Sequence, residues 1–421
     1  MSSRIALVHP SFDVPFLFLA AEKNDIELVI ILPQDQDIPV DLPAIVGKEI
    51  LPIYTEPDNS LDKMVELTKY WGLDGILAVK EQAVVWTANA CIRTNLRGIS
   101  PQSAIAARDK SQMRTLFADV GLPVPYFQLI YNLSDLNISP NLKYPCVVKP
   151  ASGYNSEGVQ LVYNEAQLLV SINKVLELNE STYKAQSWHP EGHFDGVLIE
   201  EFIDGPEYVV EIFARDGDIV ALNCGYKGQP QGPYFEESVY LCPADIDAAL
   251  TEAIQKTAIR GMLALGLVNG PGHCELRLSR DGTPYILEIA ARIGGSGCAH
   301  FNIEASTGID FAGLWFQWIN GSLRCNQWPP KALSMTEAAT SWIMPLGGEG
   351  KLIALEGIEL ALKHPDCKHI LIFAEPGKIY RPYPYFDGFL AIVFGKHENS
   401  HSGKAFLNFL DNTVSAVWLT D

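Results

Sequence analysis

The sequence predicts a protein of about three domains that combines α/β and α+β architecture. Its 421 residues exceed what one hydrophobic core usually organises, and 48% of them are hydrophobic, as expected of well-packed globular domains. In the first hundred residues, apolar runs typical of buried parallel strands alternate with helical periodicity. Further along, two Asp-Gly pairs between apolar segments predict antiparallel hairpins.

Residues 1–100 are expected to form an open α/β domain. The runs at 5–8, 26–32 and 75–79 are nearly continuous in apolar residues, as in parallel strands covered on both faces. Apolar residues recur at helical spacing over 60–71, and Gly72 follows where a helix C-cap belongs.

Two further domains are predicted beyond this one. Residues 101–328 hold a helix over 104–120, a hairpin at Asp216-Gly217, a helix over 245–265 and a hairpin at Asp281-Gly282. The pattern breaks near Trp328 at two consecutive prolines, and residues 329–421 read as a C-terminal α+β lobe of short strands.

Charge and composition exclude several classes of function. The 31 basic and 50 acidic residues give a formal charge of −19, which argues against nucleic acid or an anionic membrane as the main partner. No apolar run approaches the length of a membrane span, and the first residues lack a signal-peptide pattern, so a soluble cytoplasmic protein is expected. The eight scattered cysteines form no CxxC pair, which disfavours zinc and a disulfide framework.

The second hairpin predicts two facing carboxylates. If Asp281 and Gly282 form a two-residue turn, Glu275 lies directly opposite Glu288, with β-carbons about 5 Å apart. Two such charges repel by about 3 kcal/mol at an effective dielectric of about 20. The repulsion disappears if one carboxyl group is protonated, if a basic side chain such as Arg292 lies between them, or if a metal cation bridges them. These three possibilities stay open, and an oxygen-rich site of this kind suits Mg²⁺.

Two loops that follow apolar strands offer groups for a nucleotide. Lys149 ends a strand and precedes a small-residue loop, in which backbone N–H groups could approach phosphate oxygens and close as a lid, although a plain surface turn has the same composition. Glu200 and Glu201 leave another strand, and Glu207 follows after Gly205-Pro206. The free backbone groups where the strand ends could bind a flat heterocycle, and Glu207 could bind a ribose. The same residues would also be found in an ordinary turn with solvent-exposed acids.

Taken in order, these motifs resemble the ATP-grasp superfamily, in particular the L-amino acid ligases (dipeptide synthetases) and other carboxylate-amine ligases. The resemblance is carried by the segments RDKSQMRTLFADVGLPVP, CVVKP, VLIEEFIDGPEYVVE, GLVNGPGHCELR and PYILEIAARIGG. It covers nearly the whole chain and implies an ATP-grasp fold with an N-terminal pre-ATP-grasp domain, two ATP-gripping subdomains and a C-terminal lobe.

The resemblance also implies roles for individual residues. Lys110 and Lys149 would contact phosphates beneath the loop that contains Ser152, Ser156 and Gly158. Adenine would lie against Glu200, Phe202 and Ile203, and the ribose against Glu207. Glu275 and Glu288 would be the magnesium ligands. Arg292 would contact the transferred or acyl phosphate, and the amides of Gly294 and Gly295 the substrate carboxylate. Many members have asparagine where this chain has Ala290, so one metal contact is missing.

Residues that face the substrates are less defined by the sequence. Lys227, Tyr234 and Glu236 belong to a segment resembling the part of the amino acid ligases that approaches substrate, although a solvated loop is an equal reading. His273 shares the face of Glu275 by strand alternation, and it either touches substrate or makes a structural hydrogen bond.

The implied function is ATP-dependent ligation of a small carboxylic acid to an amine. The acid would become an acyl phosphate, and the products would be an amide or dipeptide, ADP and phosphate. ATP with one or two Mg²⁺ ions, for which Mn²⁺ can substitute, is the expected cofactor set. Two alternatives are a phosphotransferase without amine coupling and a non-catalytic ATP-binding regulatory protein. The sequence leaves oligomeric state open, although homodimers are common in the family.

Overall fold

A computed structural model describes residues 2–184, 188–190, 195–330 and 337–419. The strands are β1 (Ser3–Val8), β2 (Ile26–Leu32), β3 (Ile45–Ile50), β4 (Gly75–Ala78), β5 (Phe127–Ile130), β6 (Cys146–Pro150), β7 (Gln160–Val162), β8 (Val197–Glu201), β9 (Glu207–Arg215), β10 (Asp218–Ala221), β11 (Gly225–Gly228), β12 (Val239–Cys242), β13 (Gly270–Leu278), β14 (Pro284–Ala290), β15 (Ala338–Ile343), β16 (Gly350–Glu356), β17 (Cys367–Ile372), β18 (Ile379–Tyr380), β19 (Ala391–His397) and β20 (Ser415–Leu419). The α-helices are α1 (Phe16–Lys23), α2 (Pro57–Trp71), α3 (Val84–Thr94), α4 (Pro101–Arg108), α5 (Lys110–Asp119), α6 (Glu165–Leu178), α7 (Ala248–Ala264), α8 (Cys298–Thr307), α9 (Phe311–Ile319), α10 (Ile358–Lys363) and α11 (Ser400–Thr413).

The N-terminal sheet is parallel, with strand order β3-β2-β1-β4. The parallel strands expected from the apolar runs are therefore confirmed, as is the end of α2 at Gly72, which has the left-handed conformation. The chain passes from β1 outward to β2 and β3, and then returns to the other side of β1 for β4. Ligands of open α/β sheets bind at the carboxyl ends of strands where the order reverses in this way, which here is between β1 and β4.

A small antiparallel sheet, β5-β8-β6-β7, forms one wall of the central part of the chain. Helix α6 packs on it through Leu168, Ile172 and Val175, which share a core with Val148 and Ile199. The helix expected over 104–120 is instead two helices, because Asp109 adopts an extended conformation and its side chain caps α5 by accepting from the N–H groups of Ser111 and Gln112. Lys110 consequently stands at the first residue of α5.

A large sheet forms the opposite wall and continues into the C-terminal part. Its order is β14-β13-β9-β11-β12-β15-β19-β17, and β10 pairs with the outer part of β9. Strands β15, β19 and β17 lie beyond the boundary predicted near Trp328, yet β15 pairs directly with β12. The domain limits themselves stay predictions. The three-stranded sheet β18-β16-β20 completes the C-terminal lobe.

The turn after β14 is held against the N-terminal sheet. Helices α8 and α9 contribute Ile303, Phe311 and Trp318 to a core that also contains Ile5 and Leu28. This packing brings the segment between β14 and α8 to the carboxyl edge of β1 and β4. No helix in the described ranges is long and apolar enough to cross a bilayer.

Candidate active site

Glu275 on β13 pairs directly with Glu288 on β14, as the sequence predicts. The two-residue turn from which this pairing was predicted is wrong, however. The hairpin loop holds three residues between Ser279 and Thr283, because Gly282 adopts a left-handed conformation and donates its N–H to the carbonyl of Ser279. This shifts the register by one residue, and a bulge that leaves Leu287 unpaired shifts it back.

Basic side chains lie beside both carboxylates. The Lys110 ammonium is 2.8 Å from Glu288 Oε2, and the Lys227 ammonium is 2.9 Å from Glu275 Oε1. Burial alone would raise the pKa of Glu275, but Lys227 and His273 lower it well below its usual range. Arg292 does not lie between the two carboxylates, since its guanidinium binds Glu81 instead.

The donor set at this pair fits a magnesium ion that arrives with phosphates. Mg²⁺ commonly uses one or two carboxylates and fills its remaining positions with waters and phosphate oxygens. Over the residues that the structure describes, no third histidine, cysteine or acid joins Glu275 and Glu288 at ligand distance. Ala290, where a further ligand would stand in many ATP-grasp proteins, pairs with His273 and is buried. These two carboxylates alone would give a partial coordination shell.

A second buried charge cluster lies on the small sheet. Glu200 pairs with Val147 in the ladder, and Lys149, two residues further along β6, shares its face. The Glu200 carboxylate accepts from Lys149 and, at 3.0 Å, from Arg114 Nε. Burial would raise the pKa of Glu200, but these two cations lower it. Burial lowers the pKa of Lys149 to about 8 despite Glu200, so Lys149 remains mostly charged at neutral pH.

Both clusters line one cavity of about 100 Å³ between the two sheets. The residues predicted to hold nucleotide or metal that line it are Lys110, Lys149, Ser156, Glu200, Ile203, Glu207, Glu275 and Glu288. Ser152, Gly158 and Phe202 were also predicted, but they are not among its lining residues. Acidic side chains outnumber the cations in this lining, and the cations Lys110, Lys149 and Arg277 are each paired with one of those acids.

The loop after β6 lies over this cavity and is anchored to other parts of the chain. Ser156 Oγ donates to the carbonyl of Phe235, and the Gly158 N–H donates to the carbonyl of Pro384. Ser152 is fully buried, and its carbonyl accepts from Arg108. Of the three predicted loop residues, only Ser156 therefore lines this cavity.

Aromatic and charged side chains form the outer end of the cavity. Phe202 stacks on Phe235 with ring centroids 5.7 Å apart, and the Arg277 guanidinium lies 4.4 Å from the Phe235 ring. Glu207 faces Arg277 across β9 and β13, and Arg277 Nε donates to it at 3.1 Å. Phe202 therefore packs against the lining residues Phe235 and Arg277, whereas Glu207 and Ile203 line the space themselves.

Arg292, Gly294 and Gly295 line a larger cavity of about 480 Å³ between the N-terminal sheet and the C-terminal lobe. Arg292 forms an ion pair with the buried carboxylate of Glu81. Burial raises the pKa of Glu81, but Arg292 lowers it, and the net effect is a lower pKa. At Gly294 a β-carbon would come within 2.5 Å of His273 Nδ1, so the close approach requires glycine.

Of the four residues predicted to face substrate, Lys227 and His273 line a cavity of the site, whereas Tyr234 and Glu236 do not. Lys227 is the unpaired residue of a bulge in β11 and points to Glu275 and to Glu237, 3.3 Å away. His273 donates to Glu211 at 2.7 Å and lies 3.4 Å from Glu275; burial lowers its pKa, but the carboxylates raise it to about 10. Both line a passage of about 60 Å³.

Tyr234 and Glu236 point elsewhere. Tyr234 stacks on Tyr383, and Glu236 accepts from the N–H of Leu346 at 2.6 Å. Neither lines the two larger cavities or the passage. The neighbouring acid Glu237 lines both the smaller cavity and the passage, so it is Glu237 rather than Glu236 that faces these spaces.

The passage joins the two cavities into one continuous site. It shares Glu275 and Glu288 with the smaller cavity and Arg292 with the larger one. Tyr154 and Asn155, from the loop after β6, line all three spaces. The two cavities therefore meet at the paired carboxylates.

Comparisons with known proteins agree with this architecture. A family model described as the ATP-grasp domain matches residues 142–300. The crystal structure of an L-amino acid ligase from Bacillus licheniformis superposes with a TM-score of 0.91, at 31% identity over 99% of each chain. Alanine–anticapsin ligase of Bacillus subtilis is 26% identical over 62% of this chain and 57% of its own length. D-alanine–D-alanine ligase of Aromatoleum aromaticum is 30% identical over 52% of this chain and 67% of its own. The chain thus spans about three fifths of these curated relatives.

Proposed function

This chain belongs to the ATP-grasp superfamily of ligases, and we propose that it activates a small carboxylic acid with ATP and joins it to an amine. The predicted ATP-grasp fold is confirmed by the superposition on an L-amino acid ligase. That relative and the alanine ligases make an amino acid the expected acid and amine, with a dipeptide, ADP and phosphate as products.

The observation that carries the proposal is the pairing of Glu275 with Glu288 at a junction of two cavities. One cavity supplies Lys110 and Lys149, which suit phosphates, and the other has room for small organic substrates. A protein that only bound ATP would not need the carboxylate pair to open toward a second cavity. The proposed cofactors are accordingly ATP and one or two Mg²⁺ ions, with Mn²⁺ as a substitute.

The first step is transfer of the γ-phosphoryl group of ATP to a carboxylate oxygen of the acid. An O–P bond forms at the acid, the bond to the ADP oxygen breaks, and ADP leaves. Lys110, Lys149 and Arg292 neutralise charge on the phosphates and need no reorganisation, because carboxylates already hold them in place. Magnesium bound by Glu275 and Glu288 would supply further charge neutralisation on the same oxygens.

The second step is attack by the neutral amine on the acyl carbon. A C–N bond forms, the C–O bond to phosphate breaks, and the departing phosphate takes up the proton that the nitrogen loses. The amides of Gly294 and Gly295 would stabilise negative charge on the acyl oxygen; both residues line the larger cavity together with Arg292. Tyr154 and Asn155 cover the junction and exclude water, which would otherwise hydrolyse the acyl phosphate.

Phosphate release with purified protein tests this proposal against its two rivals. ATP, Mg²⁺ and the twenty common L-amino acids are supplied singly and in all pairs. A ligase releases phosphate only with a productive pair and forms a dipeptide in equal amount. A phosphotransferase consumes ATP with one compound and leaves the phosphate on it. Binding of ATP without turnover in any mixture would identify a regulatory protein.

A further inference from the structure

Lys80 stands at the reversal point of the N-terminal sheet and faces the larger cavity. It follows β4, next to β1, at the carboxyl edge of these parallel strands. Open α/β sheets bind ligands at this position, because the connections on either side of it diverge and leave a crevice. The roles proposed above for ATP, metal and acyl phosphate do not use this residue.

Lys80 differs from the other cations around the cavities in having no acid partner. Each of the others has a carboxylate oxygen within 4.0 Å; they are Lys110, Lys149, Lys227, Arg277, Arg292 and Lys378. In the described part of the chain, no carboxylate lies within that distance of Lys80. Burial lowers the pKa of Lys80, and Asp13 only partly opposes this, because it is more distant than a salt bridge. Lys80 is thus a half-buried charge that lacks a counterion.

A histidine and a tyrosine fix the direction of the Lys80 side chain. The ammonium donates to His9 Nε2 at 3.3 Å, and His9 Nδ1 is 2.7 Å from Tyr54 Oη. Because Nε2 accepts, Nδ1 must carry the proton and donate to the tyrosine. Burial, followed by Lys80, lowers the pKa of His9 to about 3, so the ring is neutral and cannot compete for an anion. One ring nitrogen occupies one N–H of the ammonium and leaves the others for a ligand.

We infer that Lys80 binds the free carboxylate of the amino acid that serves as the amine, and that it determines the preference for this amino acid over its carboxamide. The inference rests on the proposed ligase function. The carboxylate of the other substrate is consumed by phosphorylation near Arg292 and the metal, whereas the carboxylate of the incoming amino acid survives in the product. Lys80 lines the same cavity as Arg292 and as Glu81, the residue that holds Arg292. The amino group is thereby kept near the acyl phosphate.

The test compares each amino acid with its own carboxamide as the amine substrate. The carboxamide has no carboxylate to activate, so it can act only as the amine. With the acid partner saturating, amine-dependent phosphate release gives kcat and KM for both forms. Wild-type protein is expected to prefer the free amino acid by about tenfold or more, since a hydrogen bond to a charged group typically contributes this much.

Lys80→Met should raise the KM for the amino acid about 10- to 100-fold and abolish the preference over the carboxamide. The KM for ATP and for the acid partner should remain within about twofold, a separation that general destabilisation would not give. Lys80→Arg keeps the charge and should retain part of the preference. Lys378→Met removes a cation from the opposite wall that is already paired with Glu375, and the preference should persist.

Several results would overturn the inference. If wild-type protein used carboxamides as well as free amino acids, or if Lys80→Met raised the KM of the acid partner instead, Lys80 would not bind the amine substrate. These results would leave the ligase function intact. If no pair of amino acids released phosphate, the proposed function would fail first, and the inference about Lys80 with it.

Discussion

Glu275 and Glu288 face each other because two irregularities in one hairpin cancel. The three-residue loop after Ser279 offsets the strands by one residue, and the bulge at Leu287 restores the original register. The freed carbonyl of Leu287 accepts from Arg114 at 2.8 Å, so the bulge is tied to the buried Glu200 cluster on the other sheet. The metal site and the small sheet are therefore linked through one guanidinium.

Glu288→Gln should abolish turnover without unfolding the protein. The substitution keeps the shape of the side chain but removes a charge that a metal ion and Lys110 both require. kcat/KM should decrease by more than about 10- to 100-fold, the loss that is typical when a hydrogen-bond partner of a metal ligand is replaced. Glu252→Gln, on the exposed face of α7, is the control and should retain full activity. Ordinary activity in Glu288→Gln would show that the metal assignment is wrong.

Arg114→Met should destabilise the fold strongly. Arg114 is fully buried and bridges Glu200 to Leu287, so its removal leaves a buried carboxylate with Lys149 alone. Loss of one partner from a buried ion pair typically costs about 3–5 kcal/mol. Arg93→Met breaks an exposed pair with Asp62 and should cost at most about 1 kcal/mol. Denaturant unfolding of the two variants measures the difference, and equal costs would contradict the linking role of Arg114.

The kcat/KM for ATP should decline above about pH 8. Burial lowers the pKa of Lys149 to about 8, so its positive charge is present below that pH and is lost above it. This ratio reports groups of the free enzyme, before phosphates stabilise the charge. Lys149→Arg keeps its charge at all accessible pH values and should remove the decline. A wild-type profile that stays level to pH 9.5 would exclude Lys149 as the titrating phosphate contact.

Gly158→Ala should uncouple ATP consumption from amide formation. Gly158 has a φ of +77°, and a β-carbon there would lie 2.8 Å from Leu178 and 3.0 Å from Pro150, so the loop over the site must shift. Phosphate release without amine should then increase relative to product. Gly121→Ala introduces the same backbone strain at φ +68°, but nothing lies within 4 Å. Its ratio of phosphate to product should match that of wild type, and an equal change in both variants would exclude an effect of the loop.

The features that could be predicted from the sequence are those set by local residue patterns and by the family motifs, such as strand faces and hairpin turns. Strand alternation placed His273 on the face of Glu275, and the Asp216-Gly217 pair formed the expected two-residue turn between β9 and β10. The opposition of Glu275 and Glu288 was predicted correctly from a wrong turn length. A bulge depends on contacts such as that with Arg114, which lies far away in sequence, so hairpin rules could not reveal it.

The missed residues are those whose role depends on distant partners. Glu81 binds Arg292 from the turn that follows β4. Glu211 binds His273 from β9, a strand far away in sequence that pairs with β13. Glu237 rather than Glu236 faces the site, because the connection before β12 has no regular alternation from which to read direction. Lys80 carries no motif at all. The proposal for Lys80 depends on its position in the cavity and on the finding that no carboxylate of the described residues lies within 4.0 Å of its ammonium group.

Transfer of oxygen from the acid substrate to phosphate tests the central claim most directly. The acid partner of a productive pair is labelled with ¹⁸O in both carboxylate oxygens, and the released phosphate is analysed by mass spectrometry. Formation of an acyl phosphate transfers one labelled oxygen to each phosphate and leaves the other in the amide. Phosphate without label, formed together with product, would contradict activation of the acid by phosphorylation.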